Sequence, residues 1–209
     1  GQLSLQGGAI TGTTGVLTST SVIDARNGSV SAKLAGSNGL TKTTSGTVTL
    51  SGANTYNGPT AVDAGKLLIT GSIASSPTTV NNTGTLGGTG TTGGVTVTSG
   101  GKLSPGVSPG ILTTGALTLA SGATYDVEVG GNTAGSGSGY YDQDIVSGDV
   151  TLGGATLNLS SFGGYVPQPG DVYTIIKNTG GNAVSGIFNG LPEKATIVLA
   201  GVTLNISYV

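Results

Sequence analysis

The residues able to do chemistry are few, and four of the nine acids fall as two i, i+2 pairs, Asp126 with Glu128 and Asp142 with Asp144. On a strand, residues two apart project from one face, so each pair would present two carboxyls side by side. Carboxyls roughly 5–9 Å apart can run glycoside hydrolysis, one as acid and the other as base or nucleophile. That chemistry asks for an aromatic-lined cleft with basic or amide partners. The chain has no Trp, and downstream only Lys177, Lys194 and Gln168 offer such partners. Asp142, Asp144 and Asp149 lie near a Gly/Ser-rich loop and are the candidate metal ligands. Ca²⁺ is the ion in view, because it takes roughly six to eight carboxylate and carbonyl oxygens. Neither an Asp-x-Asp-x-Asp-Gly loop nor a Gly-Gly-x-Gly-x-Asp nonapeptide accompanies them, and the competing role for such residues is to bind turn amides. Ser and Thr abound, but with no His and no Ser-x-x-Lys motif none is activated as a nucleophile. Gly135-Ser136-Gly137 opens no helix and so cradles no phosphate. The chain reads as a non-enzyme that requires no cofactor.

What would position these residues is an unusual polypeptide. Only 8% of residues are charged and 41 of 209 are Gly, against about 25% and 7% in ordinary proteins. Disorder combines low hydrophobicity with high charge, whereas here 35% of residues are hydrophobic, so the chain folds. Without Cys no disulfide or thiolate metal site exists, and ladders and core must hold the fold. Seven scattered basic residues and a net charge of −2 exclude a nucleic-acid footprint. No apolar run approaches the roughly 18 residues of a membrane span. With no Met, residue 1 is expected to be a processed N-terminus or a fragment boundary.

Runs of three to six residues alternate apolar and small polar side chains between Gly, Asn or Ser-Gly corners. Examples are Thr47–Leu50, Val95–Thr98, Ala116–Leu119 and Thr156–Leu159. Such runs are half-buried strands. They recur: Gly65-Lys66-Leu67, Gly84-Thr85-Leu86 and Gly101-Lys102-Leu103 are one element repeated, with Leu50 as the preceding member. A period near 20 residues with no helix between strands predicts an all-β solenoid, a right-handed parallel β-helix. After about residue 120 the strands lengthen, the Gly130–Gly139 stretch reads as a flexible loop, and most Tyr and both Phe appear. Residues 1–120 are therefore expected to be β-helix repeats, and 121–209 an irregular C-terminal β module capping or continuing the solenoid. Val172–Ile176 and Thr203–Tyr208 read as strands within it. Tyr56 reads as a packing residue at a rung edge, and Tyr140-Tyr141 as an exposed pair.

The stretch Gly46-Thr47-Val48-Thr49-Leu50-Ser51-Gly52-Ala53-Asn54-Thr55-Tyr56-Asn57-Gly58-Pro59-Thr60-Ala61-Val62, followed by Gly65-Lys66-Leu67-Leu68, resembles the autotransporter-associated β-strand repeat. Pro59 stands where that family has a small residue. The stretches Gly100–Gly110, Tyr141–Leu157 and Gly186–Tyr208 are similar to other parts of such proteins, so the resemblance covers roughly residues 28–209. It implies a right-handed β-helix, export to the exterior or bacterial cell surface, and a structural or adhesive role, and it supplies no catalytic residue. The membrane β-barrel of an intact autotransporter is not in this sequence. The expected function is a secreted building block whose partner is itself, joined head to tail through solenoid ends into a filament or matrix. The alternative is an adhesin or passenger fragment binding a surface or carbohydrate ligand, with the Gly130–Tyr141 loop as its binding element.

Overall fold

The computed structural model describes all 209 residues and contains strands but no helix. The chain coils, each rung laying short strands on those of the rung before. The first rung holds β1 (Ser4–Leu5), β2 (Ala9–Ile10) and β3 (Val16–Thr18), the second β4 (Ile23–Ala25), β5 (Gly28–Val30) and β6 (Lys33–Ala35). The third has only β7 (Leu40–Lys42) and β8 (Thr47–Leu50). Then follow β9 (Thr60–Val62), β10 (Gly65–Ile69) and β11 (Ser72–Ile73), and next β12 (Thr78–Val80), β13 (Gly84–Gly88) and β14 (Thr91–Thr92). The sixth rung holds β15 (Val95–Val97), β16 (Lys102–Pro105) and β17 (Ile111–Thr114). After β18 (Leu117–Leu119) and β19 (Thr124–Val129), the chain makes a side excursion through β20 (Thr133–Ala134) and β21 (Tyr140–Tyr141). It returns as β22 (Gln143–Val146). The eighth rung holds β23 (Val150–Gly153), β24 (Thr156–Ser161) and β25 (Ile176–Asn178). The chain ends in β26 (Ser185–Ile187) and a hairpin, β27 (Thr196–Leu199) with β28 (Val202–Asn205).

Stacking makes three parallel sheets. The first runs β1-β4-β7-β9-β12-β15-β18-β23-β26 and the second β2-β5-β8-β10-β13-β16-β19, with β24 on β19. The third runs β11-β14-β17-β22-β25, while β3 and β6 form a separate pair. The fold is a parallel β-helix. Its sheets cross residue 120 without a break: β18 pairs β23, and β19 pairs β24 in full register. The C-terminal half differs in coil length, since Leu117 pairs Val150 whereas Thr78 pairs Val95.

Alternation decides what enters the core. In the second sheet Val48, Leu67, Leu86, Leu103, Tyr125 and Leu157 form one inward ladder. All are buried, and each such side chain removed from water is worth about 2 kcal/mol. Here the repeat spacing misled by two residues: Leu50 stacks on Ile69, and Val48 occupies the place above Leu67. A slip of two preserves the facing in a period-2 strand, so Leu50 is still fully buried. The chain makes 110 backbone–backbone hydrogen bonds but only two ion pairs, so ladders and core hold it, not charge.

The repeated Gly-x-Leu element has a steric cause. A Cβ on Gly84 would run into the Val62 carbonyl oxygen of the previous rung, and one on Gly65 into that of Thr44. Gly65 also sits at φ 68°, in the left-handed region.

Candidate functional site

Asp126 and Glu128 do share one face, the outer face of β19, while Tyr125, Val127 and Val129 point inward. Lys102 Nζ lies 2.7 Å from Asp126 Oδ2, and Asn158 Nδ2 donates to Asp126 Oδ1 at 3.0 Å. The cleft beside them is lined by Lys66, Ser104, Ser108, Asn158 and Ser160 and encloses about 120 Å³. That is below the roughly 300 Å³ at which small-molecule sites begin.

The three calcium candidates go separate ways. Asp142 is buried and accepts two backbone amides, Gly110 N–H at 2.6 Å and Glu128 N–H at 2.8 Å. It thereby ties the Pro105–Gly110 loop to β19. Burial pushes its carboxyl up to about 7, against the downward pull of the two amides. Asp144 lies wholly inside, in register between Leu112 and Ile176. The Thr114 hydroxyl donates to its two oxygens at 3.1 and 3.3 Å. Burial pushes Asp144 up to about 8, so it carries its proton at neutral pH. Asp149 is exposed and accepts from Asn182 Nδ2 at 2.8 Å. Nowhere do three or more acidic side chains gather to hold a metal ion.

Residues 51–59 replace the third-side strand of their rung; Asn54 and Tyr56 turn inward, while Ser51, Thr55 and Asn57 stay exposed. Asn54 Oδ1 accepts the Leu34 amide at 2.9 Å, and its Nδ2 donates to the Gly52 and Ser72 carbonyls at 3.0 and 3.1 Å. One buried amide thus joins the rung below to the rung above where no strand does so. Tyr56 is fully buried, so it packs inside the coil and not at its edge. Its hydroxyl meets Thr60 Oγ1 at 2.8 Å. Thr60 Oγ1 meets Ser76 Oγ at 2.8 Å, and Ser76 Oγ donates to the Gly58 carbonyl at 2.7 Å. Burial pushes the Tyr56 phenol up to about 12, against the downward pull of its bonds to Thr60 and Ser76. Lys42 also occupies an inward, buried position, its Nζ donating to the Thr44 and Ala64 carbonyls; desolvation lowers its pKa. Sequence alternation marks Lys42 and Thr60 as inward-facing, but no sequence signal announces Ser76.

The side excursion is structured. β20 pairs β21, and β21 pairs β19 antiparallel at Val129. Tyr140 is 41% exposed, but Tyr141 is 6% exposed, which corrects the exposed pair. The Tyr141 hydroxyl accepts the Thr174 amide at 3.1 Å, and its ring meets Tyr173 edge-on at 5.4 Å. Asp171 gathers the neighbouring loop: Tyr165 OH, Tyr173 OH and Gln168 N–H donate to Oδ2 at 2.6, 3.0 and 2.8 Å. These bonds, Tyr165 foremost, hold its carboxyl down at about 2. The strand β25 begins only at Ile176, although the Ile175 carbonyl already accepts the Asp144 amide at 2.9 Å.

At the last rung the core is closed in part. Phe188 is buried and stacks on Tyr125, ring centroids 6.0 Å apart. Tyr208 OH accepts the Phe188 amide at 3.1 Å and donates to the Leu191 carbonyl at 2.6 Å. Beyond them an apolar chamber of about 610 Å³ separates Leu157 and Leu159 of β24 from Ile197, Leu204 and Ile206 of the terminal hairpin.

With this geometry in view, comparison with known families finds one match. Residues 40–69 fit the model of the passenger-associated-transport-repeat family. The matched segment runs from β7 through the Asn54–Tyr56 corner to the end of β10. It thus contains one whole coil of the solenoid and the side chains that fill it. The repeat is of autotransporter-passenger type, and its family implies a secreted or surface-exposed protein. No curated protein matches the chain.

Proposed function

We propose that the chain is a non-catalytic structural segment of a bacterial surface solenoid, joining copies of itself end to end into an extracellular filament or matrix. The observation that carries this reading is the rung-on-rung pairing repeated through the first two sheets up to free strand edges. β1 and β26 are the outer members of the first sheet, and β2 and β24 lie at opposite ends of the second. Edges in the same sheets can template one another, and a head-to-tail contact of this kind extends into a filament unless rotation closes it. The motif residues support a structural role, since Asn54 and Tyr56 are consumed in packing. The carboxyls support it too, because Asp142 is taken up by loop amides.

Negative-stain electron microscopy with light scattering over a concentration series tests the assembly. Filaments a few nanometres wide are the expected result. A monodisperse 20 kDa species at every concentration would overturn it. That outcome favours the second reading, an adhesive passenger segment, for which the observation is the outward excursion at 130–142 with its exposed Tyr140.

A further inference from the structure

The chain has no Cys, so no disulfide can close a loop in it, and the side chains left for an oxidant to couple are its seven tyrosines. The hydroxyls of Tyr56, Tyr125, Tyr141 and Tyr208 are bonded to Thr60, the Ile175 carbonyl, the Thr174 amide and the Leu191 carbonyl. Tyr140 stands apart, its ring against Gly135. Tyr165 and Tyr173 alone share an acceptor. Both hydroxyls donate to Asp171 Oδ2, at 2.6 and 3.0 Å, and the two hydroxyl oxygens lie 3.2 Å from each other. The loop between them holds this contact. Gln168 N–H donates to Asp171 Oδ2 at 2.8 Å, and the Asp171 amide donates to the Gln168 carbonyl at 3.1 Å. Pro167 and Pro169 set the backbone on either side of Gln168. Tyr165 is anchored to the end of β24, its amide donating to the Phe162 carbonyl at 3.1 Å and Ser161 Oγ donating to its own carbonyl at 2.6 Å. Tyr173 is held from its other side by the ring of Tyr141. Both phenols remain partly exposed.

We infer that Tyr165 and Tyr173 form an oxidative coupling site, in which Asp171 takes the phenol proton and a carbon–carbon bond joins the two rings ortho to their hydroxyls. Each phenol gives one electron to the oxidant and its hydroxyl proton to the Asp171 carboxylate, which passes the proton to water. The two phenoxyl radicals join ring carbon to ring carbon, and the hydrogens on those carbons move to the oxygens, restoring both phenols. Two hydrogens leave the protein in all. One hydrogen peroxide, spent through a haem peroxidase, takes them up and becomes two waters. Three features select this pair. A carboxylate already bonded to the phenol receives its proton as the electron leaves, and Asp171 is ionised to do so, its carboxyl held down at about 2. In the coupled product the two hydroxyls flank the new bond side by side, as they already lie here. Their placement on one loop also makes the coupling intramolecular, which outruns the meeting of separate chains. The link closes the 165–173 loop covalently, as a disulfide does in a chain with Cys. It concerns one loop and holds whether or not chains join end to end.

The test treats the full chain with a haem peroxidase and hydrogen peroxide, then digests it on the N-terminal side of Asp. Cleavage before Asp149 and Asp171 puts Tyr165 and Tyr173 on separate fragments, 149–170 and 171–209. The expected product is a monomer lighter by two hydrogens, whose two fragments are joined through Tyr165 and Tyr173 in tandem mass spectrometry. Tyr165→Phe and Tyr173→Phe should each abolish the joined pair. Asp171→Asn keeps an oxygen acceptor for both hydroxyls but is a far weaker base, and it should slow the rise of the fluorescent coupled product at least about tenfold. Three results would overturn the inference. One is no joined fragments under conditions that couple free tyrosine in the same mixture. Another is joining of separate chains through the more exposed Tyr140 in their place. The third is an Asp171→Asn rate equal to that of the unaltered chain.

Discussion

Two stacked threonines show how one side chain decides stability inside the coil. Thr60 and Thr78 are register partners on the same inward ladder and both are buried. Thr60 Oγ1 is held between Tyr56 and Ser76, whereas Thr78 Oγ1 has no partner. A buried unpaired hydroxyl is a cost, and an isosteric methyl removes it. Thr78→Val should therefore raise stability by about 1 kcal/mol, and Thr60→Val should lower it by about 2 kcal/mol, because the Tyr56 hydroxyl is then stranded. Urea midpoints measure both, and a loss at position 78 equal to that at 60 would contradict the account. Asp144 makes a second prediction. Its folded-state pKa, about 8, lies above the unfolded value of about 4. Across that interval the unfolded chain binds fewer protons than the folded one, so the contribution of Asp144 is full below about pH 4 and is lost as pH rises toward 8. Asp142, raised to about 7 by burial, acts in the same direction over a narrower window. Melting temperatures from pH 4 to 9 should fall less steeply in Asp144→Asn, which keeps an acceptor for Thr114. Equal slopes in the two proteins would rule the group out as the cause.

At the scale of elements, the corner glycines govern whether one rung can seat on the next. Gly84 faces the Val62 carbonyl oxygen so closely that any Cβ must displace the β9–β12 contact. Gly94, only ten residues on, has the Ala116 oxygen at 3.7 Å from where its Cβ would stand. Gly84→Ala should cost about 3 kcal/mol through overpacking. Gly94→Ala should change stability by less than about 1 kcal/mol, the scale of the unfolded-state entropy term. Denaturant titration of the pair separates steric demand from a general dislike of losing glycine. The Asn54 corner belongs to the same scale: where the rung lacks its third strand, one carboxamide adds bonds to the rungs on both sides beside those the corner's backbone makes to Leu34 and Ser72.

For the whole molecule, stability comes from nearest-neighbour stacking, so the ends differ from the middle chiefly in having one neighbour fewer. Assembly through such ends would be driven by ladder bonds and apolar burial, with little charge involved. The two ion pairs, Arg26–Asp24 and Lys102–Asp126, both have a partner more than two-fifths exposed, and such pairs contribute little. Filaments, once formed, should thus persist at about 0.5 M salt, where surface charges are largely screened; dissolution there would point to a charged contact instead.

Strand alternation, glycine corners and a period near 20 residues were enough to specify a parallel β-helix, because each is a local requirement: inward side chains every second residue, and no Cβ where rungs touch. Alternation also placed Asp126 and Glu128 on one face. Register within the ladder was not local. A two-residue slip leaves every side chain on its proper face, so only stacking could seat Leu67 on Val48 in place of Leu50. The fates of Asp142, Asp144, Ser76 and Tyr141 were likewise decided in three dimensions. Their partners, Gly110, Thr114, Gly58 and Thr174, lie 18 to 33 residues away, brought close by the coil and by nothing in the adjacent sequence. The chamber beside β24 arises the same way: its walls, the last rung and the terminal hairpin, meet only in the folded chain.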